Sequence, residues 1–161
     1  MLGSTVFDSV LFRDMFGTAE MRAVFSDDAL IARYIEAEVA LARAQAKMGV
    51  VPQTAADAIA AAAKSMVIDI EKLRRETEIV GYPILPLVHQ LSAAAGEAGG
   101  FVHWGATTQD IMDTANVLQI RAALQIVTRD LREVRTSWPT WRANIAIRRW
   151  PDGPICSRRC R

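Results

Sequence analysis

Cysteine and histidine are scarce in this 161-residue chain, with two of each, and no stretch alternates apolar and polar residues in the manner of a β-strand. Two Cys, with no basic, apolar, small-residue leader over residues 1–12, argue against a secreted disulfide scaffold and for a reducing, cytoplasmic setting. The pair Cys156 and Cys160 lacks a second ligand pair, and the two histidines have no metal-type spacing, so no metal is expected. No apolar run approaches the roughly 18 residues that a bilayer span requires, so no membrane segment is expected. What is present, 51% hydrophobic and 23% charged residues with a net charge of +1, fits one soluble globular domain with a real core.

The near-neutral total conceals an uneven distribution. Residues 136–161 hold six Arg (Arg142, Arg148, Arg149, Arg158, Arg159, Arg161) against Asp152, a balance of +5 that leaves −4 for residues 1–135. Trp138, Trp141, Trp150 and both Cys fall in the same segment, whereas the body before it is Ala-rich and helically patterned. Arg interleaved with Trp can neutralise phosphate and stack on unpaired bases, but no nucleic-acid fold motif accompanies the segment, and nucleic acid is not the expected partner.

Apolar spacing gives the fold class. From Ser26, the positions Leu30, Tyr34, Ala37, Leu41, Ala44 and Met48 step by four and three along one stripe of a long helix, with Ser26 as N-cap and Gly49 as terminator. Thr54, three residues before Asp57, opens an Ala-rich helix to Met66, and Asp69 precedes another that stops at Gly81. Pro86 reads as the first residue of the next helix, which Gly96, Gly99 and Gly100 end. Val117, Ile120, Leu124, Val127, Leu131 and Val134 then form an unbroken seam on a helix from about Asp110 to Arg135. The expected class is all-α, and seams this long exceed what a small bundle needs to close its own core, so they invite partner helices.

The chemically suggestive stretch is Phe101-Val102-His103-Trp104-Gly105-Ala106-Thr107-Thr108-Gln109-Asp110, at the start of the last helix. Unpaired N–H groups and the positive end of the helix dipole favour an anion there, and Thr hydroxyls and a Gln amide supply directional donors to a carboxylate. The same spacing, Thr107 followed three residues on by Asp110, also resembles a capping box that uses those groups internally. One Thr can cap while its neighbour binds. His103 has no Ser, Cys or carboxylate partner visible in the sequence and reads equally as a packed histidine; His89, on a predicted helix, reads as structural.

The run His103-Trp104-Gly105-Ala106-Thr107-Thr108-Gln109-Asp110-Ile111 resembles the first signature region of the fumarase/aspartase superfamily, in the His-x-Gly-Ala-Thr-Ser-Gln-Asp form found in the bacterial 3-carboxy-cis,cis-muconate cycloisomerases. Residues 21–28, 36–52 and 81–88 are similar to the same group, and the likeness covers residues 7–135. Thr108 stands where the family usually has Ser, which retains the hydroxyl. An adenylosuccinate lyase is expected to carry a His-Asp pair near Tyr82-Pro83, and this chain has none; an argininosuccinate-type lyase is the other alternative. The resemblance implies an N-terminal helical domain and the start of a long-helix bundle. It also implies a cofactor-free cycloisomerase of protocatechuate breakdown in the β-ketoadipate pathway, acting on a tricarboxylate as a homotetramer with active sites built from three subunits. Thr107, Thr108, Gln109 and, less directly, His103 then bind substrate, while the family's general acid/base His and mobile Ser loop belong to later regions that this chain does not contain.

The resulting organisation is residues 1–109 as helical domain with the signature loop, 110–135 as the first long bundle helix, and 136–161 as an aberrant tail. The genetic code suggests a cause for the tail. Reread two nucleotides later, Ser137-Trp138 and Thr140-Trp141 each give Leu, Met or Val, Trp138-Pro139 gives Ala, and Trp141-Arg142 gives Ala if the Arg codon begins with CG. Residues 149–155 permit Met-Ala-Gly-Arg-Thr-His in that frame. Relatives carry Leu-Ala-x-Leu-Ala and Met-Ala-Gly-Arg-Thr-His at these places, so the tail reads as a frameshifted translation. The chain as it stands is therefore expected to be inactive and to expose helix seams meant for subunit packing.

Overall fold

The computed structural model describes residues 5–147, with only the helical backbone described for residues 143–147. Both Cys, Trp150 and the tail arginines after Arg142 lie outside the described residues. The described chain is all-α: α1 (Arg13–Phe16), α2 (Ala19–Val24), α3 (Asp27–Lys47), α4 (Gln53–Ser65), α5 (Ile70–Val80), α6 (Ile84–Ala95), a 3-10 turn (Gly96–Phe101) and α7 (Thr108–Ile147), with no strand. No helix among these residues is long and apolar enough to cross a membrane. The chain divides into two compact units, residues 1–123 and 124–161, a division that falls within α7.

Several ends form where the capping chemistry puts them. Ser26 Oγ accepts the Ala29 N–H at 3.2 Å, Asp69 Oδ1 accepts the Lys72 N–H at 2.8 Å, and Gly81 stops α5 in the left-handed region with φ 92°. Two starts differ from the sequence reading. The Pro52 carbonyl accepts the N–H groups of Ala55 and Ala56, so α4 begins at Gln53, Thr54 lies inside the first turn, and Asp57 takes the Gln53 amide instead. Pro86 is the third residue of α6 rather than the first; a first-turn N–H has no intrahelical acceptor, so its ring costs no hydrogen bond there. The short helices α1 and α2 carry no periodicity long enough to read; the Arg22 guanidinium ties them together through the Arg13 and Gly17 carbonyls, both at 3.0 Å.

Two apolar clusters build the first unit. Ala42 of α3, Ile59 of α4 and Leu91 of α6 meet Ala98 and Val102 in one; Tyr34, Leu73, Ile84, Leu87 and the start of α7, Ile111 and Ala115, form the other. Ile59, Ile84, Leu87 and Leu91 are at most 1% exposed, each worth about 1.5–3 kcal/mol of burial. The buried face of α3 drifts from the predicted stripe: Tyr34 and Ala37 are inside, but Ala44 and Met48 face solvent, and Glu38 and Ala42 take the core side. The predicted seam of α7 is exposed, as a seam that invites partner helices requires. Ile111, Ala115 and Gln119 are buried, whereas Val117 and Ile120 are exposed, as are Leu124, Val127, Leu131 and Val134 in the second unit. The helix also continues past Arg135 to Ile147 with Pro139 inside it, although Pro139 has no N–H to offer the Arg135 carbonyl.

The glycine run after α6 is more than a stop. Gly96 ends α6 with φ 60°, and the chain winds into the 3-10 turn, where a Cβ on Gly99 would collide with the Ser92 carbonyl oxygen and lie 3.0 Å from its carbon. Backbone cannot yield as a flexible side chain can. Gly99→Ala is expected to cost about 1–3 kcal/mol, seen as an earlier urea or thermal midpoint; an unchanged midpoint would mean that α6 and the turn separate freely.

Candidate functional site

The signature loop leaves the 3-10 turn at Val102 and enters α7 at Thr108. Thr107 caps α7 with Asp110: the Thr107 hydroxyl donates to Asp110 Oδ2 at 3.0 Å, the Thr107 N–H donates to the same oxygen at 3.1 Å, and the Asp110 N–H reaches Thr107 Oγ1 at 3.4 Å. The Thr107 N–H and hydroxyl, with a smaller contribution from the charge of His103, hold the Asp110 carboxyl below its ordinary range. A depressed carboxyl stabilises above its unfolded pKa, so the cap is complete at neutral pH and weakens as acid protonates Asp110. Of the two readings open in the sequence, Thr107 thus takes the internal one. The hydroxyl of Thr108, half-buried beside it, has no intramolecular hydrogen-bond partner among the described residues. The Gln109 amide donates to Asp113 Oδ1 at 2.6 Å, one turn along the helix.

His103 has a partner that the sequence did not reveal. Its Nδ1 lies 2.6 Å from Glu38 Oε1, across 65 positions of chain, and the Glu38 side chain is 1% exposed against 17% for His103. Burial pushes the Glu38 carboxyl above its ordinary range, while the hydrogen bond and charge of His103 pull it back. Glu38 Oε2 is buried with no hydrogen-bond partner among the described residues. Seven residues on, along the same face of α3, the Gln45 amide donates to the Trp104 carbonyl at 2.6 Å. Two polar side chains of α3 thus hold consecutive residues of the loop. His103 itself adopts φ 59°, the left-handed region, at a cost on the order of 1 kcal/mol that these contacts offset.

The signal that could have found Glu38 was its place on the helix: it sits four residues from both Tyr34 and Ala42, on the side that turns inward. A carboxylate on an inward face needs a partner, and the chain offers few cations or donors inside. His89 is exposed on α6, the helix on which the sequence places it. Among the described residues no group of three His, Cys, Asp or Glu side chains is arranged to hold a metal ion.

The chemistry this arrangement offers is anion recognition. The N-terminus of α7 supplies the positive end of a long helix, the Thr108 hydroxyl stands unpaired at its first turn, and a histidine backed by a buried carboxylate lies in the loop before it.

Residues 16–138 match the protein family described as Lyase. The N-acetyl-S-(2-succino)cysteine lyase of Enterococcus italicus is 44% identical over 133 residues, 83% of this chain and 29% of that protein. The 3-carboxy-cis,cis-muconate cycloisomerase of Acinetobacter baylyi is 45% identical over 131 residues, 78% of this chain and 29% of that one. The crystal structure of fumarate lyase from Mesorhizobium sp. BNC1 superposes with a TM-score of 0.74 at 58% identity, covering 76% of this chain and 29% of the other. The chain therefore spans under a third of the length of these relatives. The match over most of its residues, the helical fold and the loop before α7 agree: the chain belongs to the lyase family of the fumarase/aspartase superfamily.

Proposed function

We propose that this chain is part of an enzyme that binds a small polycarboxylate at the signature loop, and that the enzyme is a 3-carboxy-cis,cis-muconate cycloisomerase. The reaction adds one carboxylate oxygen of the substrate across a double bond, giving γ-carboxymuconolactone. A carboxylate beside the carbon that becomes carbanionic must be held as its charge grows, and a general acid must deliver a proton to that carbon. The first task falls to the start of α7, with Thr108 and the peptide N–H groups as donors, Thr107 as the cap that orients them, and Gln109 and His103 alongside. The second falls to the general acid/base His of a later region. No cofactor is required, because the substrate carries its own nucleophile. The observation that carries the reading is the Thr108 hydroxyl at the N-terminus of α7, without an intramolecular partner among the described residues, next to a loop of the family's signature sequence.

A second reading has its own support. The likeness to the succinocysteine lyase equals that to the cycloisomerase, at 44% and 45% identity. Both names carry a carboxylate-bearing substrate, and the same loop suits an elimination that frees a thiol from a succinyl carbon.

The tail belongs to this proposal. The family match ends at residue 138, close to residue 136 where the composition changes, in keeping with a shift of reading frame after about Arg135. The test is to sequence the gene across codons 130–161, express the product of the restored frame and follow the muconate absorbance. Turnover by that product, and none by the 161-residue chain, is the expected outcome. A shifted frame that closes early or lacks Met-Ala-Gly-Arg-Thr-His defeats the frameshift. A restored enzyme that ignores carboxymuconate but releases thiol from N-acetyl-S-(2-succino)cysteine selects the second reading.

A further inference from the structure

Holding the loop does not by itself require that Glu38 be a carboxylate. It is a buried carboxylate on a helix of the core, it approaches one ring nitrogen of His103 at 2.6 Å, and its second oxygen is buried without a partner. An isolated carboxylate in such a place is costly, and an apolar side chain would fill it better unless the hydrogen bond itself serves a purpose.

An imidazole next to an acceptor is not indifferent to which nitrogen carries hydrogen. A neutral ring has one N–H and one bare nitrogen, and a carboxylate at Nδ1 favours the form with hydrogen on Nδ1, leaving Nε2 bare. The ring remains partly exposed, at 17%, and Nε2 has no intramolecular partner among the described residues. The charged groups around it are Glu38 of α3 and Asp110 of α7, whose carboxyl senses the charge of His103.

We propose that Glu38 is a positioning residue: by accepting the Nδ1–H of His103 it fixes the tautomer and orientation of the ring, so that the bare Nε2 is left to accept a hydrogen bond from water or from a protonated group at the proposed substrate site. The substrate clause rests on the function proposed above; the tautomer does not, and it is measurable without ligand. Outer partners of this kind hold the groups that touch a ligand, and their loss is felt at the ligand although they never meet it.

The chain contains two histidines, so His89→Gln leaves one imidazole to observe. Long-range proton–nitrogen correlation spectra of that otherwise intact 161-residue chain, recorded about two pH units above an ordinary imidazole pKa, read the tautomer directly. The expected spectrum has hydrogen on Nδ1 and a bare Nε2. Glu38→Met, which keeps an unbranched apolar stem without an acceptor, is expected to move the hydrogen to Nε2 while circular dichroism retains the helix content. Should that variant unfold, Glu38→Gln removes the charge with the same shape and shifts the balance in the same direction. A carboxylate that only filled the core would leave the tautomer of a folded variant unchanged, and that result overturns the proposal. So does a parent spectrum with hydrogen on Nε2. Failure of the restored enzyme to act on any carboxylate would remove the proposed function while leaving the tautomer assignment to stand on its own spectrum.

Discussion

Replacing Thr107 and Thr108 together by Val in the frame-restored enzyme is expected to lower kcat/KM by about 10²- to 10³-fold, the scale set by removing a donor from a site where negative charge develops. The two positions contribute differently. Thr107 spends its hydroxyl on Asp110 and thereby fixes where the first N–H groups of α7 stand. Thr107→Val alone loses a cap worth about 1 kcal/mol, so the melting temperature falls along with activity. Thr108 has no intramolecular partner among the described residues, so Thr108→Val is expected to reduce activity with the melting temperature unmoved. Serine at either place keeps the hydroxyl and should keep most of the rate. Steady-state kinetics on the two singles, the double and the two Ser variants separate cap from donor. Normal turnover and affinity in the double Val variant would falsify carboxylate binding by the Thr108 hydroxyl and the N–H groups that Thr107 orients.

How much of this was legible in the sequence depended on whether the interaction was local. Ser26, Asp69 and Gly81 act within four residues of themselves, and each stands at the helix end its type predicts. Thr54 failed because Pro52, two residues earlier, already supplied the carbonyl that starts α4. The glycines after Ala95 read as a stop, but only the packed structure shows that Gly99 must be small because the Ser92 carbonyl lies against it. The signature loop was recognisable by sequence, while its geometry was not. Whether Thr107 capped or bound depended on the rotamer of Asp110, which spacing alone leaves open. Glu38 was hidden for the opposite reason: its partner is 65 residues away, and a charged residue beside the apolar stripe carries no local sign of facing inward, whereas Ala44 and Met48 on that stripe face solvent. The inward face of a helix is therefore better traced by asking which polar residues on it would need a partner than by connecting its apolar ones.

The seam of α7 leads to the other large effect. In the second unit Leu124, Val127, Leu131 and Val134 are between 40% and 63% exposed, and they recur at steps of three and four on one face. An exposed apolar stripe of this spacing is what the helix of a bundle presents to a neighbour, and we propose that in the complete enzyme it packs against other subunits of a homotetramer. In the 161-residue chain the same stripe is expected to drive self-association. Sedimentation velocity at micromolar concentration should show species heavier than the 17.7 kDa monomer. Leu124→Glu with Leu131→Glu places two charges in the stripe at exposed positions, so helix content should hold while the heavier species collapse to monomer. Arg132→Glu, a change of two charge units at an exposed position off the stripe, controls for charge alone and should leave association in place. If the double Glu variant associates as the parent does, the contact lies elsewhere on the chain, and the exposed N-terminal residues Val10, Leu11 and Met15 become the surface to alter next.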